Sequence, residues 1–158
     1  MKSKQELMAL FQSVGCKDPE GWARSEVEEN FPQLSRFLVL KMMLEGVLQE
    51  GSGAKMAEEW RNRQVFCDLT HYARGDAAVR RLLDAGVDPN DLVDIVRAEQ
   101  IRLVFHIAYG LGSYNLSEEF DDFMWTLADP QGREIGGLEE SVNEMCAELC
   151  SDPTHYHF

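Results

Sequence analysis

Basic residues are almost missing from one part of the chain. Between residues 111 and 158 Arg133 is the one basic side chain, set against eleven acidic ones for a net of −10, although the full 158 residues carry 15 basic and 28 acidic groups for a net of −13. That shortage excludes a cationic surface for nucleic acid or anionic lipid. Long apolar runs are missing too. The longest, residues 37–44 and 103–111, contain Lys41 and His106 and fall well short of the ~18 residues that cross a bilayer. The start, Met1-Lys2-Ser3-Lys4-Gln5-Glu6, has no apolar core of a secretory signal. Four cysteines, Cys16, Cys67, Cys146 and Cys150, are scattered over helix-like segments of a chain long enough to fold without disulfides. Reduced thiols and a cytoplasmic location are the expectation.

Catalytic patterns are also lacking. No phosphate-cradling Gly-x-x-x-x-Gly-Lys, no Gly-x-Gly-x-x-Gly and no Gly-x-Ser-x-Gly occurs. Cys16 and Cys67 have no adjacent basic motif of the kind that creates a thiolate nucleophile.

What is present is helix punctuation, in a composition of 44% hydrophobic and 27% charged residues that suits a folded domain. Ser3-x-x-Glu6 forms a capping box ahead of Leu7, Met8, Leu10, Phe11 and Val14, with Gly15 placed to end the helix. Asp18-Pro19 caps a short helix holding Trp22, Ala23 and Val27. After Asn30-Phe31-Pro32, apolar residues cover most of the circumference up to about Gln49, which predicts a central buried helix. Ser52 is placed to cap a helix reaching about Arg74, and a further short helix runs from Asp76 to Gly86 with Asp76 and Arg80 as an i,i+4 pair. Asp88-Pro89 opens a second central helix, with Ile95, Val96, Ile101, Val104, Phe105 and Ala108 along it. Ser117-Glu118-Glu119 opens a segment with Leu116, Phe120, Phe123, Met124 and Leu127 at helical spacing, and Leu138, Val142, Met145 and Leu149 form the inner face of a last helix. Asp129-Pro130-Gln131-Gly132 is a β-turn. A small β-hairpin near residues 124–136 competes there with helix. The expected architecture is all-α, a single-domain bundle of seven to eight helices over residues 1–158, with an acidic C-terminal third at 111–158.

Three constellations have ligand chemistry. Cys146-x-x-x-Cys150 stands on one helical face, and an extended tail would send His155 and His157 to one side, so the four make a tetrahedral zinc set. The competing reading is two half-buried thiols and a frayed terminus. Asp68-x-x-His71 pairs a carboxylate with an imidazole, but no Glu-x-x-His accompanies it as a di-metal bundle requires, which favours a surface hydrogen bond. Glu99 and His106 are two turns apart, too far for a dyad, and His106 between Phe105 and Ile107 is expected as a core histidine.

The acidic third itself points to a partner. Glu118, Glu119, Asp121 and Asp122 crowd one helical turn, where part of their role is to complement the helix dipole. Glu140, Glu144 and Glu148 recur at i,i+4,i+8 as a ridge of one sign, which mildly destabilises a helix and has no neighbouring lysine. The functional expectation is a non-enzymatic acidic binding protein that presents these residues, with Phe123 and Trp125 as aromatic anchors, to a basic protein surface. A toxin immunity protein or a phage-type nuclease inhibitor would work this way, with carboxylates standing in for phosphates. The alternatives are a small helical metalloprotein or enzyme built on Cys146, Cys150, His155 and His157, and a structural homo-oligomer packing Met42, Met43 or exposed aromatics.

Overall fold

Ser3 begins the first helix, α1 (Lys4–Ser13), by the reciprocal capping its spacing predicts. The Glu6 N–H donates to Ser3 Oγ at 3.3 Å, and the Ser3 N–H donates to Glu6 Oε2 at 2.7 Å. Each bond satisfies a backbone donor that the helix itself cannot. The computed structural model describes residues 2–63, 70–112 and 126–149, and among them the architecture is all-α, with seven helices. Gly15, at φ +82°, closes α1 in a left-handed conformation that a side chain would strain. Asp18 caps α2 (Pro19–Glu29) by accepting the Gly21 N–H at 3.0 Å, with Pro19 at the first helical position. Asn30, at φ +53°, turns the chain into α3 (Gln33–Leu44).

The α3 helix departs from expectation. It stops at Leu44, with a turn from the Val47 N–H to the Leu44 carbonyl at 3.0 Å, rather than running to Gln49. It is also not buried all round: Phe37, Leu40 and Leu44 face inward, while Leu38 and Met42 stay exposed. Val27 on α2 is exposed as well.

The helix expected from Ser52 to Arg74 is two helices. α4 (Gly53–Asn62) ends where Arg63 turns extended, at φ −60° and ψ 118°. Ser52 makes no cap, and its hydroxyl donates back to the Gln49 carbonyl at 2.7 Å. α5 (Thr70–Asp84) runs straight through Gly75 and Asp76, so Asp76 is a buried interior residue and not a helix start. Nor does it pair with Arg80. Asp76 faces Arg63 at 3.8 Å, and Arg80 donates to the carbonyls of Trp60 at 3.2 Å and Arg63 at 2.9 Å.

The helix α6 (Pro89–Gly112) is 24 residues long. Leu92 and Val93 are buried near its start and Val104 and Ala108 near its end, whereas Ile95, Leu103, Phe105, Ile107 and Tyr109 are exposed. Its expected core positions Ile95 and Phe105 therefore lie outside. In α7 (Leu138–Leu149) three of the four expected inner positions, Leu138, Val142 and Met145, are fully buried, and the side chain of the fourth, Leu149, lies outside the description. Before it, the Asp129–Gly132 turn forms, closed by the Gly132 N–H to the Asp129 carbonyl at 2.9 Å. Among the described residues it supports one isolated antiparallel bridge, Ala128 with Glu134, and no strand.

The chain divides into two compact units. One takes the chain up to Val47 and again from Ile101 onward, and the other is Leu48–Gln100. In the first, Phe11, Trp22 and Phe37 meet edge to face or tilted at 5.4–6.0 Å between ring centres. α7 packs on α3, and Leu40, Leu138, Val142 and Met145 complete the core. In the second, Ala57, Trp60, Leu83, Leu92 and Val93 form the core between α4, α5 and the start of α6.

Candidate functional site

α7 continues unbroken through residues 140, 144 and 148, so the three glutamate positions form one row on a single helix. Glu140 is the member whose side chain is described, and it is 80% exposed. Its nearest cation among the described residues is Arg36, a buried guanidinium whose Nη2 stands 3.9 Å away, a long contact for an ion pair. The Arg36 guanidinium is committed elsewhere: it donates to the Gly137 carbonyl and lies over the Phe31 ring at 5.4 Å. α7 itself carries no basic residue. Glu139, next to the row, is half-buried.

Glu118, Glu119, Asp121, Asp122, Phe123 and Trp125 lie outside the described residues, as do Cys150, His155 and His157. The side chains of Glu144 and Glu148 also lie outside the description. Of the expected zinc set only Cys146 is placed, half-buried against the core of the first unit. No group of three or more metal-binding side chains occurs among the described residues. Asp68 and the side chain of His71 are outside the description. His106 is exposed on α6 rather than a core histidine, because its face of the helix is turned away from Val104 and Ala108.

The most elaborate polar arrangement was not signalled by any motif. Asp129 is buried at the mouth of its turn, where its Oδ1 accepts the backbone N–H groups of Gln131 and Arg133, both at 2.9 Å. Arg133 Nε donates to Asp129 Oδ2 at 2.7 Å, and Arg133 Nη2 donates to Glu26 Oε1 at 3.0 Å. Glu26, buried on α2, takes the Leu34 N–H on its other oxygen at 2.8 Å and so also caps the start of α3. One guanidinium thus bridges two carboxylates, each of which is satisfied by further donors, the condition under which buried charge is tolerated. Burial pushes the Asp129 carboxyl up, but the hydrogen bonds from Arg133 and Gln131 outweigh it and hold the group below its ordinary range. Burial likewise pulls against the charge of Arg133, and its bonds to Asp129 and Glu26 raise its pKa further.

This bridge forms one wall of a cavity of about 520 Å³, whose other polar groups come from Lys2, Glu6, Asn30, Ser35 and Gln131 and whose apolar surface comes from Leu7 and Leu34. At Glu6 the backbone and hydroxyl of Ser3 hold the carboxyl below its ordinary range. The one available sequence signal was Arg133 four residues after the turn aspartate. Nothing local pointed to Glu26, because its partner is 107 residues away.

No family model, curated protein or solved structure matches the chain. Among the described residues no helix is long and apolar enough to cross a membrane.

Proposed function

We propose that the protein is a non-enzymatic binding protein whose acidic C-terminal third docks on a basic surface of a partner protein. The observation that carries this reading is the α7 row: three glutamates on one helix without a basic residue, the described one 80% exposed and only loosely countered by Arg36. Carboxylates held at such spacing present a negative strip whose field speeds encounter with a positive cleft. Glu118, Glu119, Asp121 and Asp122 extend the negative charge, and Phe123 and Trp125 supply the apolar anchors such interfaces use. A nucleic-acid-binding cleft on the partner suits this chemistry, as in a toxin neutralised by an immunity protein or a nuclease held by an inhibitor. The cytoplasm is the compartment proposed for it.

The test is capture from lysate at low salt with wild type and with a Glu140→Lys, Glu144→Lys, Glu148→Lys variant, followed by kinetics on the retained protein. A basic partner held by wild type and lost by the variant is expected. Raising salt from about 0.05 to about 0.5 M should slow association far more than it speeds dissociation. An association rate indifferent to salt, or a variant that holds the same partner equally well, overturns the proposal.

A further inference from the structure

The cavity beside Arg133 holds more hydrogen-bonding capacity than the fold consumes. Glu26 uses both carboxylate oxygens on the protein, and Glu6 receives both Ser3 donors on Oε2, which leaves its Oε1 uncommitted. Arg133 spends Nε and Nη2, leaving Nη1. Among the described residues the Lys2 ammonium, the Asn30 and Gln131 amides and the Ser35 hydroxyl have no hydrogen-bond partner, yet all four line the same space. A volume of about 520 Å³ falls within the range of small-molecule sites.

Charge narrows the ligand. Lys2 and Arg133 share the cavity lining with Glu6 and Glu26, so the wall is balanced while the whole protein carries −13. Asp129 sits buried behind Arg133, its remaining oxygen satisfied by two backbone N–H groups. A simple anion would enter against the field of the protein, and a simple cation would meet Lys2 and Arg133. A molecule carrying both charges meets neither penalty and can use both sets of groups. We propose that this cavity binds a small zwitterion of the amino-acid class, a free α-amino acid or a very short peptide. Its carboxylate is taken by Arg133 Nη1 and Lys2, its ammonium by Glu6, and its aliphatic part lies along Leu7 and Leu34. The Asn30 and Gln131 amides and the Ser35 hydroxyl set orientation. This site is independent of the acidic row on α7.

The experiment is isothermal titration of the full chain with each of the twenty L-amino acids and with the dipeptide alanyl-alanine. Any probe that binds is then compared with its C-terminal amide and its N-acetyl derivative. At least one probe should bind at millimolar concentration or below, and each derivative should bind about tenfold more weakly or worse, the loss of one charge-assisted contact. Lys2→Met and Gln131→Ala leave the Glu26–Arg133–Asp129 bridge intact and should weaken the same probe without lowering the melting temperature. The proposal is overturned if no probe binds, if acetate or inorganic phosphate binds as tightly as the zwitterion, or if both variants bind like wild type.

Discussion

Two cores within one chain are held by different means. In the unit that takes both ends of the chain, fifteen buried residues cluster around the Phe11–Trp22–Phe37 group, against five buried residues in the core of Leu48–Gln100, counted among the described residues. The smaller apolar core is accompanied by side chains that tie backbone directly. Gln100 Oε1 accepts the Leu48 N–H at 2.8 Å, Asn90 Oδ1 accepts the Gly53 N–H at 3.1 Å, and Arg80 spans the carbonyls of Trp60 and Arg63. The larger unit has such ties too, from Lys41 Nζ to the Val14 carbonyl at 2.9 Å, from Arg36 to the Gly137 carbonyl and through the Glu26–Arg133–Asp129 bridge, but it sets them beside a core of three times as many buried residues among those described. Area removed from water stabilises the first, and geometry-dependent tethers contribute a larger share in the second. Apolar burial tolerates small displacements, whereas a tether is lost when its partner moves, so the second unit should open more readily.

Removing the centre of the aromatic group tests the first half of that contrast. Phe37→Ala should cost about 3–5 kcal/mol of unfolding free energy, from lost burial plus the two edge-to-face contacts, read by urea denaturation followed through far-ultraviolet circular dichroism. A cost below that of an exposed substitution such as Met42→Ala would mean the group is not the core. Cutting the bridge comes next. Glu26→Ala leaves the Leu34 N–H and Arg133 Nη2 without their acceptor and should cost about 2–4 kcal/mol in the same measurement.

In the second unit, Gly53→Ala should cost about 1–3 kcal/mol, since its new Cβ would stand 2.6 Å from the Asn90 backbone nitrogen and 2.7 Å from the Pro89 carbonyl carbon. Native-state hydrogen exchange should then rise at residues 79–93 while residues 37–44 stay protected. Equal rises in both stretches would show that the two units unfold as one. The smallest effect is one of pH. Because the Asp129 carboxyl titrates below its ordinary range when folded, its contribution is complete above the unfolded value of about 3.9 and disappears as pH falls through the lower folded value. Asp129→Asn should flatten the acid limb of a urea-midpoint profile below about pH 4 and leave its slope near neutrality unchanged. A profile that keeps the full acid limb would remove Asp129 from that role.

Much of the helix plan was legible because caps are local. Ser3 with Glu6, Asp18 with Pro19, and the Asp129–Gly132 turn all form where their residues predict, each requiring only neighbours within a few positions. The inner face of α7 was legible for a related reason: its apolar residues keep helical period beside an uninterrupted polar face. α3 and the second half of α6 carry apolar residues on most of their circumference, so period could not say which stripe would be buried, and Met42 and Phe105 came out exposed. The acidic row was visible as spacing alone, while the cavity beside Arg133 was not visible at all.

The capped starts at Ser3 and Asp18, the helical class and the charge imbalance of the last third were thus determined by the amino-acid sequence itself, since capping, propensity and composition act over a few residues or over none. Tertiary structure decided the rest. It ended α3 at Leu44 and α4 at Asn62, turned Asp76 inward to Arg63, and brought Glu26 to Arg133 across 107 residues. Those outcomes depend on which surfaces meet when water is excluded, and partners far apart along the chain leave no periodic trace in it.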